Sequence, residues 1–188
     1  VHRTWSSNEK TAMEEALGMS FAGKRALVCM KHVGLNVAAD AFVNSAMTGA
    51  NGGLVVVAAD DPSMHSSQNE QDSRFYGKFA LVPTFEPADQ QEAYDMAKAA
   101  FDLSERFRIP VLMRLTTRMA HSRAVVETGE ARAENPLSHP EQPRQWVLMP
   151  GNSRVRYQTL LEDYARLEEE SAASPFNAYT EGPDKRLG

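Results

Sequence analysis

The segment Leu54-Val55-Val56-Val57-Ala58-Ala59 constrains this 188-residue chain more than any other. It is apolar without interruption and bracketed by Gly52-Gly53 and Asp60-Asp61-Pro62. A strand with one wet face alternates apolar and polar residues. A strand that does not alternate must be covered on both faces, as in a parallel sheet between helical layers. The run is far too short to span a membrane. Two further runs, Ala26–Met30 and Val111–Leu115, have the same character, and helical patterns separate the three. The alternation predicts an α/β fold: a mainly parallel sheet with helices on both faces, in which these runs are adjacent strands.

The intervening segments fit that frame. Ser6, Ser7 or Asn8 can cap a helix running to about Ala22, with Ala12, Met13, Ala16, Leu17 and Ser20 on one face and Gly23 ending it. A second helix is expected over 35–47 and a short one over 72–79. A brief strand follows at 82–85, then a long helix capped by Asp89, with Met96, Ala100 and Leu103 turned inward. After Thr117 the composition changes. Residues 118–143 hold Pro136, Pro140 and Pro143 and read as a linker or wrapped arm. A strand is possible at 146–149. A charged helix is expected over 152–170, capped by Asn152 or Ser153, with Leu160, Leu161, Tyr164 and Leu167 on one face, and an extended tail from 174. The expected organisation is an α/β domain at 1–117, and at 118–188 a region leading to, and packing on, a further domain.

Charge and cysteine content narrow the function. The net charge of −5, with no Lys/Arg-rich block, argues against a nucleic-acid partner. No apolar stretch suggests a membrane segment or secretory signal. The single cysteine, Cys29, excludes an internal disulfide and an iron–sulfur cluster held by this chain alone. It is expected to be a buried small apolar residue, and a reducing, cytoplasmic location fits.

Three places could carry chemistry. Glu9 opens the first helix, where a carboxylate is already favoured by the helix dipole. On pattern alone it is an ordinary first-turn residue. Lys31 and His32 end a strand just before a helix, where open α/β sheets place their ligands. Lys31 reads as a solvated strand end; His32 is balanced between a structural and a proton-transfer role. The loop Asp60–Gln71, which includes Ser67 and Gln68, follows the most buried strand and could form one wall of a site. Its spacing matches no calcium loop, so no metal ligands are assigned. The phosphate-binding loop, the dinucleotide fingerprint, the nucleophile elbow and the Gly-Asp-Gly…Asn diphosphate–magnesium signature are all missing from the sequence. The chain is not expected to hold a diphosphate by itself.

Several strings carry a family resemblance. Trp5-Ser6-Ser7-Asn8-Glu9-Lys10, Met30-Lys31-His32-Val33-Gly34-Leu35-Asn36, Ala59-Asp60-Asp61-Pro62, Met64-His65-Ser66-Ser67-Gln68-Asn69-Glu70-Gln71-Asp72-Ser73-Arg74 and Arg114-Leu115-Thr116-Thr117-Arg118 resemble the alpha subunit of indolepyruvate ferredoxin oxidoreductase, over nearly the whole chain. The resemblance implies a thiamine-diphosphate enzyme that oxidatively decarboxylates arylpyruvates such as indolepyruvate to aryl-acetyl-CoA and reduces ferredoxin. It implies a pyrimidine-type thiamine-diphosphate-binding domain, incomplete at its N-terminus, lacking its first strand and helix. The expected partners are the remaining alpha-subunit domains, a smaller beta subunit, ferredoxin, CoA and the arylpyruvate. Magnesium and iron–sulfur clusters belong to the complete enzyme and not to this chain. By its place in the Asn-Glu-Lys motif, Glu9 matches the carboxylate that hydrogen-bonds the cofactor's aminopyrimidine and promotes loss of the thiazolium C2 proton. Lys31, His32, Ser67 and Gln68 become substrate-pocket candidates. On this reading the chain is a fragment, inactive alone. The alternatives are the pyrimidine-binding half of a split thiamine-dependent 2-oxoacid decarboxylase and a non-catalytic interaction module.

Overall fold

A computed structural model describes residues 1–184 and 186. Helix α1 (Glu9–Phe21) leads to β1 (Ala26–Lys31), α2 (His32–Thr48) and β2 (Leu54–Asp60). Then come α3 (Arg74–Ala80), β3 (Thr84–Phe85), α4 (Gln90–Phe107), β4 (Val111–Thr116), α5 (Thr117–His121) and α6 (Pro150–Ala172). Among the described residues the strands form one parallel sheet in the order β1-β2-β4-β3, with Val55 opposite both Leu27 and Val111. The three apolar runs are therefore neighbours, and β2 is central. Leu54, Val55 and Val56 are fully buried, each contributing about 1.5–3 kcal/mol over an exposed side chain.

Two cores flank the sheet. On one face Val28, Leu54, Val56 and Leu112 pack with Met13 of α1, Leu35 and Phe42 of α2, and Leu160 and Leu167 of α6. On the other face Val55, Val57, Val111 and Met113 meet Met96 and Ala100 of α4, with Phe85 and Phe176 at the margin. The second layer stops at β2. Leu27, Cys29 and Lys31, on that side of the outer strand β1, are exposed. Cys29 is thus a surface residue and not the buried one expected, because α1 and α2 cover only the Ala26/Val28/Met30 face.

Local signals account for some helix ends. Asn8 accepts a hydrogen bond from Thr11 N at 2.9 Å and caps α1; Asp89 does the same for α4 through Glu92 N at 2.9 Å. At the end of α2, Gly49 adopts φ 82°, and a Cβ there would lie 2.7 Å from Arg108 O.

The region after Thr117 departs from expectation. The possible strand at 146–149 is instead a 3-10 turn, Pro143–Trp146, followed by irregular chain. Pro143 and Pro150 bracket it, and the Trp146 ring stacks on Phe21 with centroids 4.0 Å apart. The last helix begins at Pro150 without a side-chain cap; Asn152 reaches back to Val147 O at 2.9 Å. Leu160 and Leu167 of its predicted face are buried, whereas Leu161 is exposed. The arm runs beside α4, with Gly129 N bonded to Tyr94 Oη at 2.9 Å and Arg132 paired with Asp102. It ends near β1, where Lys24 meets Glu134 at 2.7 Å. Parts of the region after Thr117 thus pack on the sheet and its helices, and Phe176 of the tail packs edge-on against Phe85. Residues 185, 187 and 188 of the expected tail lie outside the described residues. Among the described residues, no helix is long and apolar enough to cross a membrane.

Candidate functional site

The carboxyl ends of parallel strands converge on one edge of the sheet, and the candidate residues gather there. Helix α2 begins directly at the end of β1, with no intervening loop. Gly34 therefore lies in the first turn of α2, which begins at His32 rather than at the expected residue 35. Across from it, the Asn8 cap fixes the start of α1 and presents Glu9. The Glu9 side chain lies on the surface that a glycine leaves open. A Cβ on Gly34 would be 2.5 Å from Glu9 Cγ, 2.9 Å from Oε1 and 3.0 Å from Cδ. Glu9 is half-buried, and among the described residues it has no hydrogen-bond or ion-pair partner. The nearby lysines are engaged elsewhere: Lys10 with Asp40 at 3.2 Å and Glu14 at 3.9 Å, Lys24 with Glu134.

At the same carboxyl end of the sheet, beyond β1 and β2, lies an open groove of about 520 Å³, lined by Lys31, Val33, Met64, His65, Ser66, Ser67 and Gln68. Three of the predicted residues, Lys31, Ser67 and Gln68, thus share one cavity. Lys31 Nζ donates to Ser66 O at 2.8 Å and tethers the loop to the strand end. The Ser67 hydroxyl is spent on Asp61 Oδ2 at 2.7 Å. Ser63 and Met64 take left-handed backbone with φ 69° and 52°, a conformation that persists only where surrounding bonds enforce it.

His32 is not a groove residue. It is fully buried, with Nε2 3.0 Å from Asn69 O and Nδ1 3.4 Å from Ala59 O. Both neighbours are carbonyls that only accept. The shorter contact is that of an N–H on Nε2 donating to Asn69 O. The ring fastens the loop to the end of β2.

Several residues that shape the site lie in the strings singled out above, but the sequence assigned them no individual role. Asp60, at the end of β2, is almost fully buried and accepts from Ser73 N at 2.9 Å, from the Ser73 hydroxyl and from Arg114 Nε at 2.5 Å. Arg114 also pairs with Glu86 and lies 3.6 Å from Asp72. Arg74 bridges the same two acids at 2.6 and 3.3 Å, and its hydrogen bond holds the Asp72 carboxyl below the usual range. This network fixes the start of α3 and the short strand β3. Asp61 is buried too, and the Ser67 hydroxyl, Ser66 N–H and Thr117 hydroxyl hold its carboxyl far below the ordinary range. Buried acids at strand ends are recognisable only once their donors, distant in sequence, are placed around them. Among the described residues no group of three or more His, Cys, Asp or Glu side chains could hold a metal ion.

Comparison with known proteins gives this geometry a family. The family model described as "Pyruvate flavodoxin/ferredoxin oxidoreductase, thiamine diP-bdg" matches residues 4–176. The chain is 49% identical over 181 residues to the indolepyruvate oxidoreductase subunit IorA of Archaeoglobus fulgidus, covering 95% of this chain and 29% of that protein. It is 47% identical over 195 residues to the IorA subunit of Pyrococcus abyssi, covering 100% of this chain and 30% of that one. The chain thus spans about three-tenths of the length of these curated relatives. A solved 2-oxoglutarate:ferredoxin oxidoreductase from Magnetococcus marinus superposes with a TM-score of 0.64 at 13% identity, over 96% of this chain and 39% of that one. That likeness concerns the fold. The sequence match carries the assignment, and it agrees with the resemblance read from the motifs: the chain belongs to the thiamine-diphosphate-binding family of pyruvate flavodoxin/ferredoxin oxidoreductases.

Proposed function

We propose that this chain is the pyrimidine-binding part of a 2-oxoacid:ferredoxin oxidoreductase acting on arylpyruvates such as indolepyruvate, and that Glu9 is its catalytic carboxylate. On this reading residues 1–117 are the pyrimidine-binding domain. The diphosphate, magnesium, iron–sulfur clusters, CoA and ferredoxin are handled by further domains and a smaller partner subunit. The observation that supports the reading is the unpaired, half-buried Glu9 carboxylate, packed against Gly34 at the carboxyl end of the sheet. A heteroaromatic ring nitrogen needs an acceptor with no competing partner, and Glu9 is one. The residues fit the aminopyrimidine half of thiamine diphosphate, and the chain's lack of a diphosphate signature leaves the other half to a partner domain.

When bound, thiamine diphosphate supplies the nucleophilic carbon and the electron sink for loss of the carboxyl group. This chain's residues govern protons and position. Glu9 would hold a proton against a ring nitrogen of the aminopyrimidine, and so would favour the imino tautomer, whose exocyclic nitrogen can take up a proton. Lys31, at the groove mouth, offers a positive charge to the carboxylate of a 2-oxoacid, and Gln68 an amide. Val33 and Met64 offer apolar surface to an aryl group.

The test uses the complete enzyme with Glu9→Gln and Glu14→Gln as a pair. Glutamine keeps the shape but not the carboxylate. Glu9→Gln should slow exchange of the cofactor's C2 proton, followed by NMR, at least about 10²-fold. Glu14, exposed on α1, should tolerate the change, and stability should move by no more than about 0.5 kcal/mol in either variant. Wild-type C2-proton exchange in Glu9→Gln would remove Glu9 from the mechanism.

A further inference from the structure

Asp61 has no role in the function proposed above, yet its side chain is the hub of the groove wall. It is 4% exposed. Oδ1 accepts from the Thr117 hydroxyl at 2.7 Å and from His65 N at 3.2 Å. Oδ2 accepts from Ser66 N at 2.7 Å and the Ser67 hydroxyl at 2.7 Å. Four donors occupy the four acceptor positions of a carboxylate. No cation pairs with it among the described residues, and no acceptor position is left for a ligand. Asp61 therefore does not act on a substrate directly. Its donors come from two places. Three belong to the loop segment 65–67 that lines the groove, and the fourth to Thr117, just beyond β4. One buried carboxylate thus ties the wall to the ends of two central strands. The wall needs such a tie, because its left-handed residues Ser63 and Met64 are not conformations the chain adopts unaided. The tie reaches a lysine of the groove as well. Lys31 Nζ is anchored on Ser66 O, and Ser66 N is anchored on Asp61.

We propose that Asp61 is a positioning residue for the 2-oxoacid: it holds loop 63–67, and through Ser66 the Lys31 ammonium, in the arrangement that receives the substrate carboxylate. The inference rests on the function proposed above. It requires the carboxylate and not merely the shape, because the two oxygens each receive a backbone N–H. An amide has one acceptor oxygen, so in Asp61→Asn one backbone N–H faces an NH₂ group. The hydroxyls of Ser67 and Thr117 can reverse; a backbone N–H cannot.

The test compares Asp61→Asn, Thr117→Val and Thr117→Ser in the complete enzyme, with indolepyruvate as the probe. Asp61→Asn should raise KM for the 2-oxoacid about 10-fold or more, the equivalent of one lost hydrogen bond to a charged group. C2-proton exchange on the bound cofactor should stay at the wild-type rate, because Glu9 is untouched. Amide hydrogen exchange at residues 65–67 should quicken. Thr117→Val should shift KM in the same direction by less, and Thr117→Ser, which restores the hydroxyl, should return it to wild type. An unchanged KM in Asp61→Asn overturns the proposal. So does parallel loss of C2-proton exchange and thermal stability, which marks a purely structural role. If Asp61→Asn does not fold, the two Thr117 variants decide: equal KM values for valine and serine refute the tie. Failure of the underlying functional reading looks different, since it leaves C2-proton exchange intact in Glu9→Gln.

Discussion

Gly34→Ala separates catalysis from stability more sharply than any substitution at a charged residue. Gly34 lies in the first turn of α2 with backbone that any residue can adopt, so alanine there should favour the helix by about 0.5–1 kcal/mol. The new Cβ meets Glu9 Cγ at 2.5 Å, whereas carbon atoms in comfortable contact sit roughly 3.5–4.0 Å apart. The Glu9 side chain must therefore retreat by about 1 Å. It is a flexible, half-buried chain, so its rotation off an ideal rotamer costs about 0.5–1.5 kcal/mol. The two terms nearly cancel, and net stability should change by less than about 1 kcal/mol, or roughly 2–4 °C in Tm for a chain of this size. Catalysis has no such compensation. A misplacement of about 1 Å at a reacting group can cost about 10²-fold. Gly34→Ala in the complete enzyme should therefore slow cofactor C2-proton exchange about as much as Glu9→Gln, with an unfolding midpoint close to wild type. A wild-type exchange rate would refute the reasoning. A midpoint falling by many degrees along with the rate would show that alanine disturbs the fold instead.

Three further outcomes follow from other parts of the molecule. Arg114→Met leaves the Asp60 carboxylate buried without its cation, so urea denaturation should show a loss of about 3–5 kcal/mol; a loss below about 1 kcal/mol would mean the pair is not held as described. Leu160→Ala empties a buried site on α6 and should cost about 2–5 kcal/mol, whereas exposed Leu161→Ala should cost no more than about 0.5 kcal/mol; equal effects would place α6 outside the core. The hydrogen bonds to Asp61 lower its folded pKa below the unfolded value of about 3.9. The stability it contributes is thus fully present above that value and lost as pH falls through the folded pKa. Wild type should exceed Asp61→Asn in urea midpoint near neutral pH, and the gap should narrow by about pH 3; a constant gap would show that the carboxylate is not linked to folding.

What could be read from the sequence was whatever depends on near neighbours along the chain. The unbroken run Leu54–Ala59 announced a central strand because its own residues carry the requirement for two covered faces. Asp89 announced α4 because a cap and its N–H partner are three residues apart. Cys29 was misread because its exposure depends on how far α4 reaches across the sheet, which no local pattern records. The segment 146–149 was misread because a Trp and three apolar neighbours satisfy a strand pattern, while the ring of Phe21 decides where they go. Ser67 and Gln68 were legible as part of one wall from the place of their loop after the most buried strand, whereas Lys31, which reads from pattern as a solvated strand end, is a pocket candidate only through the family resemblance. Asp61 reads as part of a polar loop that could bind a cation or polar substrate, and not as the hub of that loop, since its donors reach as far as Thr117; Gly34 is given no role, since it acts only by lacking an atom where Glu9 passes.

The strand order β1-β2-β4-β3 also sets a timetable for synthesis. Strand β2 can pair with β1 as soon as α2 has formed, because the connection is short. Its other edge waits for β4, which leaves the ribosome only after the whole stretch from Asp61 to Pro110. At translation rates of about 5–20 residues per second, that interval is on the order of seconds, long compared with helix and hairpin formation. During it, Val55 and Val57 have no α4 to cover them, and the backbone of the most apolar strand presents an open edge. The nascent chain is therefore most exposed to misassociation, and most dependent on chaperones, between the emergence of β2 and that of β4.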